Sequence, residues 1–178
     1  LTKSKHETGT DRVFEVFKET LNSEAKIIVN LQGDMPNIDP QAIRGLIKYM
    51  ELGKCEIGTL ASELKSFTEL KDQNVVKVVV EKKMKPGMFA KALDFARSQI
   101  TKEHQVYHHV GIYAFTNKAL LKYVSLERSK LELERRLEQL RAMENNMSIH
   151  VGYINSSPLS VDTEKDLTNI KKLMEKNE

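Results

Sequence analysis

Apolar residues along the chain recur either every three to four positions or in short unbroken runs, and the two patterns alternate. From residue 11 to 21, Val13, Val16, Phe17 and Leu21 fall at helical spacing while Glu15, Lys18 and Glu19 fall opposite them. That segment is expected to be a helix with one stripe against a sheet. KIIVNLQGDMP follows, an apolar strand over residues 27–31 that runs into a sharp turn at Gly33, Asp34 and Pro36. Asp39 and Pro40 then carry the chemistry of a helix start, with Ala42, Ile43, Leu46, Ile47 and Met50 as the inner stripe and Gly53 as the stop.

The alternation continues. Residues 56–61 and 75–81 are expected strands, separated by a short helix that Ser66 and Glu69 can open as a capping box. Residues 88–98 satisfy both periods, and strand is favoured for part of them. HHVGIYAF, residues 108–115, is a clearer strand, followed by a helix over 117–124. Ser129 and Glu132 form a second capping-box pattern, predicting one helix through residue 144 with Leu133, Leu137 and Leu140 on one face and an exposed face over 130–136. A strand over 148–154 and a helix over 163–177, with Leu167, Ile170, Leu173 and Met174 inward, complete the pattern. The fold class this implies is α/β, a mostly parallel sheet with helices on both faces, and such sheets bind ligands beyond the carboxyl ends of their strands.

Composition narrows the reading. A chain of 178 residues with 40% hydrophobic content suits one domain, expected to span residues 1–178. Lys and Arg total 28 against 25 Asp and Glu, scattered along the chain, which gives no basis for a nucleic-acid partner. Cys55 is the only cysteine, so an intrachain disulfide and a cysteine-rich zinc site are excluded. No apolar run approaches the ~20 residues of a membrane span and no signal-peptide pattern is present. A cytoplasmic location without membrane insertion is expected.

Two carboxylates stand where a strand end meets a turn or helix. Asp34 can reach a hard cation while Gly33 admits a ligand close to the backbone, although Gly-Asp is equally ordinary turn chemistry. Asp162, in SVDTEKDL, follows the last strand, where helix capping by Asp162 or by Thr163 with Asp166 is the plainer explanation. Together they would suit a magnesium site for a phosphate substrate.

The strings TGTDR, NLQGDMP, HHVGIYAF, LEQLRAMEN and VDTEKDL occur in an order and spacing that resembles the 3-deoxy-manno-octulosonate (Kdo) cytidylyltransferases, or CMP-Kdo synthetases, over nearly the whole chain. The resemblance implies a nucleotide-diphospho-sugar transferase-like fold and an enzyme joining CTP to Kdo with release of pyrophosphate, for lipopolysaccharide synthesis. It implies that Asp34 and Asp162 bind Mg2+ as the catalytic pair. Thr10, Arg12, Gln32 and Gly33 would lie along the nucleotide, Arg12 having a surface ion pair as its alternative. Arg97 would pair with the Kdo carboxylate, and His109, Tyr113, Glu138 and Gln139 would meet its hydroxyls. On a strand His108 and His109 point to opposite faces, whereas His109 and Tyr113 share one. A homodimer is also implied.

Departures are visible. Family members begin with a strand and a loop rich in Arg, Ser, Gly and Lys that cradles the triphosphate, whereas here TGTDR comes first, so the expectation is an amino-terminally truncated domain with impaired activity and an unpaired sheet edge. Met35 stands where the family has Glu after QGD, and Ser160 where Gly is common. The rival readings are a cytidylyltransferase for another acidic sugar, such as a sialic acid, and a noncatalytic remnant or partner-binding subunit of the same fold.

Overall fold

One long strand organises the molecule by changing neighbours halfway along its length. The structure is a computed structural model that describes residues 2–20, 24–97, 100, 105–161 and 163–175; the expected element ends at Leu21, Ser98 and Asn177, and the site residue Asp162, lie outside them. In chain order the elements are α1 (Gly9–Thr20), β1 (Ile27–Asn30), α2 (Pro40–Glu51), β2 (Ile57–Ser62), α3 (Phe67–Lys71), β3 (Lys77–Val80), β4 (Phe89–Ala96), β5 (Gln105–Thr116), α4 (Asn117–Val124), α5 (Lys130–Arg135), α6 (Gln139–Glu144), β6 (Ile149–Tyr153) and α7 (Glu164–Met174). The strands lie in the order β1-β5-β2-β6-β4-β3, and β3 also pairs with β5, so the sheet curls back on itself.

The α/β class with helices on both faces holds, but the expected mostly parallel sheet is mixed. Only β2 and β6 pair in parallel among the described strands. β5 runs against β1, β2 and β3, and β4 runs against β3 and β6. β1, β2, β3 and β6 therefore share a direction, as in a parallel sheet, but the opposed β5 is inserted among them.

Packing explains why the central strands read as apolar. All six residues of β2 are buried, with α2 covering one face and α1, α4 and α6 the other. Under α2 the contact is close: a Cβ added at Gly58 would come 2.7 Å from Leu46 Cδ1 and 2.9 Å from Met50 Sδ. Burying Leu46 there stabilises the fold by roughly 1.5–3 kcal/mol. Asp39 caps α2 by accepting a hydrogen bond from the Gln41 N–H at 2.8 Å, and Gly53 ends it at φ +68°. Cys55, buried near Met50, has its thiol pKa pushed up to about 11 by burial.

Several expectations about element bounds and faces need correction. The single helix through residue 144 is two helices, because Arg136 takes a left-handed conformation at φ 54° and breaks the run after α5. The break turns Leu133 out, 54% exposed, while Leu137 and Leu140 stay buried. Nor is 130–136 wholly an exposed face: Glu132 is fully buried and accepts two hydrogen bonds from Arg141, at 2.7 and 2.8 Å. In α7 only Ile170 is buried, with Leu173 and Met174 exposed, and in α1 Val16 is exposed beside buried Phe17. β1 ends at Asn30, which leaves Leu31 exposed.

Among the described residues no helix is long and apolar enough to cross a membrane.

Candidate active site

The cavity of interest opens where β5 changes partners. Along one edge β5 pairs with β3 over Gln105–His108 and with β1 from Tyr113 to Thr116. Between these ladders only the His109 N–H continues the pattern, donating to Val76 O at 2.9 Å. On the other edge the register with β2 jumps between Thr59 and Leu60, which pair with Tyr113 and Val110. This bulge bends the strand at the split. A cavity of about 250 Å³ lies there, and its walls include Gln32, Arg97, His109, Tyr113, Glu138 and Gln139. All five residues expected on the sugar side therefore line one space.

The histidine pair separates as strand geometry requires. His108 Nδ1 lies 2.9 Å from Glu69 Oε1, away from the cavity. His109 is buried, its ring in a T-shaped contact with Phe95 at 5.0 Å between centroids and tilted against Tyr113 at 5.5 Å. Burial holds its pKa down to about 3, with His108 adding a little, so the imidazole is neutral. Tyr113 is likewise buried, and its phenol is pushed well above the ordinary value by burial and then by the nearby Glu138.

Glu138 sits in the break between α5 and α6, not on a charged helix face. Its carboxyl pKa is raised by burial, with the nearby Thr8 and Thr10 hydroxyls pulling the other way, and Oε2 is buried without a hydrogen-bond partner among the described residues. Its backbone is fixed from behind: Tyr123 Oη donates to Glu138 O at 3.0 Å, and the Arg141 guanidinium lies 4.7 Å above the Tyr123 ring. Gln139, the first residue of α6, is buried beside it. Arg97 is held from its own backbone: the Lys77 ammonium, wholly buried, donates to the carbonyls of Arg97 and Asp72.

The predicted nucleotide side divides. Thr10 is buried behind the cavity, where its hydroxyl meets Asn30 Nδ2 at 3.5 Å, and Asn30 Oδ1 accepts from Gln32 Nε2 at 2.7 Å. Gly33 is exposed on the loop after β1. Arg12 is not brought to this place. It is exposed, donates to Thr2 Oγ1 at 2.6 Å and Lys3 O at 3.0 Å, and lines a separate groove of about 410 Å³ with Val16 and Ile28 along the outer edge of β1. That edge is unpaired among the described strands, as expected.

Asp34 lies two residues beyond Gln32 and is held by the segment that leads to Asp162. Val161 N–H donates to Asp34 O at 2.9 Å, and Ser160 Oγ donates to Asp34 Oδ2 at 3.4 Å. Asp34 Oδ1 is buried with no partner among the described residues. A buried, unpaired carboxylate oxygen is costly unless a cation meets it, so the donor chemistry fits a hard metal ion. The described residues contain no group of three or more His, Cys, Asp or Glu able to hold a metal by themselves.

Several residues of this site gave no signal in the sequence. Thr59 acts on His109 fifty positions away and Lys77 on the Arg97 carbonyl twenty away, while Asn30 and Arg141 reach across to Gln32 and Glu132 outside their own elements. The available hint was a polar residue inside an apolar run, as at Thr59 and Lys77.

Residues 1–149 match the family model described as cytidylyltransferase. The 3-deoxy-manno-octulosonate cytidylyltransferase of Chelativorans sp. is 38% identical over 98% of this chain and 71% of its own length. That of Rhizobium meliloti is 40% identical over 98% of this chain and 70% of its own. Among solved structures, a CMP:2-keto-3-deoxy-manno-octonic acid synthetase complexed with CTP superposes with a TM-score of 0.87 at 34% identity, covering 99% of this chain and 72% of that one. An apo UDP-glucose pyrophosphorylase, at a TM-score of 0.67 and 10% identity over 99% of this chain and 62% of that one, shares the fold.

Proposed function

The chain belongs to the cytidylyltransferase family, and from that premise we propose that it activates Kdo with CTP, giving CMP-Kdo and pyrophosphate. The observation that carries the sugar assignment is the convergence of Arg97, His109, Tyr113, Glu138 and Gln139 on one cavity. A guanidinium beside neutral donors and acceptors suits an acidic, polyhydroxylated sugar.

Asp34, with Asp162, would hold magnesium; the buried unpartnered Oδ1 and the contact of Val161 with Asp34 support this pairing. Magnesium there would neutralise charge on the phosphate oxygens and lower the pKa of the attacking hydroxyl. Arg97 fixes the sugar through its carboxylate, and His109, Tyr113, Glu138 and Gln139 orient its hydroxyls toward the nucleotide. Gln32 and Gly33 lie along the nucleotide with Thr10 buried behind them, and Arg12, engaged with Thr2 and Lys3 beside a separate groove, is left out of that contact. A bond forms between the anomeric oxygen of Kdo and the α-phosphorus of CTP as the bond to pyrophosphate breaks. The hydroxyl proton passes to solvent, and no covalent enzyme intermediate is needed. The reading extends to a cytoplasmic homodimer supplying lipopolysaccharide synthesis.

The test is CTP turnover by the purified chain with Kdo or a sialic acid. Magnesium-dependent pyrophosphate release that requires Kdo is expected, slower than that of the full-length relatives. Release with sialic acid in its place would shift the assignment to another acidic sugar, and failure to bind CTP in magnesium would favour a noncatalytic protein of the same fold.

A further inference from the structure

We propose that Thr59, a wholly buried residue of β2, is a positioning residue that fixes the tautomer of His109 and so presents Nδ1 as a hydrogen-bond acceptor for a sugar hydroxyl. The inference rests on the sugar-cavity reading above and adds a residue outside the cavity wall.

The geometry leaves one arrangement of protons. Thr59 Oγ1 lies 2.7 Å from Ile112 O, 3.2 Å from Val110 O and 2.9 Å from His109 Nε2. Carbonyl oxygens only accept, and a hydroxyl has one proton. That proton goes to the β5 carbonyls, because two oxygens 2.7 Å apart in a buried site repel each other without a hydrogen between them. Nε2 must then carry its own hydrogen and donate it to Thr59. Nδ1 is left with a lone pair, since the buried ring is neutral.

The bulge explains why the hydroxyl is needed. Where Thr59 pairs with Tyr113 and Leu60 with Val110, the ladder skips Gly111 and Ile112. Thr59 supplies a donor to the carbonyl of the skipped Ile112 and, with the same oxygen, accepts from the imidazole. The bend that opens the cavity and the orientation of the histidine in its wall thus share one side chain. The Phe95 ring edge and the backbone bond from His109 N–H to Val76 O limit the remaining freedom of the ring.

Two measurements test this. Long-range proton–nitrogen spectra of the 15N-labelled chain at pH 7 should give His109 as the Nε2–H tautomer, and an Nδ1–H pattern would overturn the proposal without reference to activity. In Kdo titrations with CTP and magnesium, Thr59→Val should weaken the apparent sugar affinity about tenfold, with kcat changed much less, and Thr59→Ser should restore it. Unchanged sugar affinity in a folded Thr59→Val chain, or failure of Thr59→Ser to restore it, would overturn the positioning role. A His109→Ala chain that binds Kdo normally would instead defeat the sugar-cavity reading itself.

Discussion

The wall formed by β5 and α6 and the loop carrying Asp34 differ in how much of their polar surface protein contacts already satisfy. In the wall the ring and backbone groups are answered by protein, His109 by Thr59, the Glu138 backbone by Tyr123 and Arg141 by Glu132, and Glu138 Oε2 is the polar atom left buried and open to a sugar hydroxyl. Around Asp34 the backbone is fastened by Val161 while one carboxylate oxygen is buried and unanswered. A preformed wall can select a neutral or singly charged sugar by shape and hydrogen bonds. A triphosphate brings its own charge and metal, so its half of the site keeps an unsatisfied donor atom for them.

The largest effect expected from breaking this contrast is at Asp34. Asp34→Asn should lower kcat roughly a thousandfold, a loss of about 4 kcal/mol in transition-state stabilisation. The melting temperature should hardly move, because Oδ1 has no hydrogen-bond partner to lose among the described residues. Pyrophosphate release and thermal unfolding check the two halves of that expectation, and near-normal turnover would remove Asp34 from the metal site.

In the wall, the same kind of change should act on stability. Arg141→Met would leave buried Glu132 with the partly exposed Arg128 as its remaining ion-pair partner, at a cost of about 3 kcal/mol. Adding Glu132→Leu should recover much of it, since the buried pair is replaced by apolar packing. Urea unfolding of the single and double variants decides this; a single variant as stable as the parent would show that the wall is not held by the pair.

A smaller effect concerns pH. His109 has its folded pKa depressed to about 3 from an ordinary 6.5, so above pH 6.5 both states are neutral and its contribution is intact. As pH falls below 6.5 the unfolded chain gains a proton that the folded chain refuses, and stability is lost progressively toward pH 3. Between pH 7 and 5 this amounts to roughly 2 kcal/mol. Denaturant unfolding at the two pH values should show it, and His109→Gln should flatten that part of the profile.

Much of this was legible along the chain. The Asp39 and Pro40 start of α2, the Gly53 stop, the 117–124 helix and the opposite facing of His108 and His109 follow from local rules, because caps, turn residues and strand alternation act within a few positions. The break at Arg136 was not legible, since LERRLEQL keeps an unbroken helical period and a non-glycine left-handed residue gives no compositional sign. The exposed turns of α1 and α7 were misread for a related reason: a stripe says which face is apolar, not how much of it a sheet will cover.

The sequence by itself determined the kinds of element, their caps and, through the combined strings QGD, GIYAF and LEQLR, the family. Only the tertiary structure decided that β5 runs against its neighbours, that it trades β3 for β1 where it bulges, and that Thr59 and His109, fifty positions apart, share a hydrogen bond there. Strand direction and proton placement depend on which backbone edges meet across the sheet. Those pairings are set by long-range packing, which no local run of residues specifies.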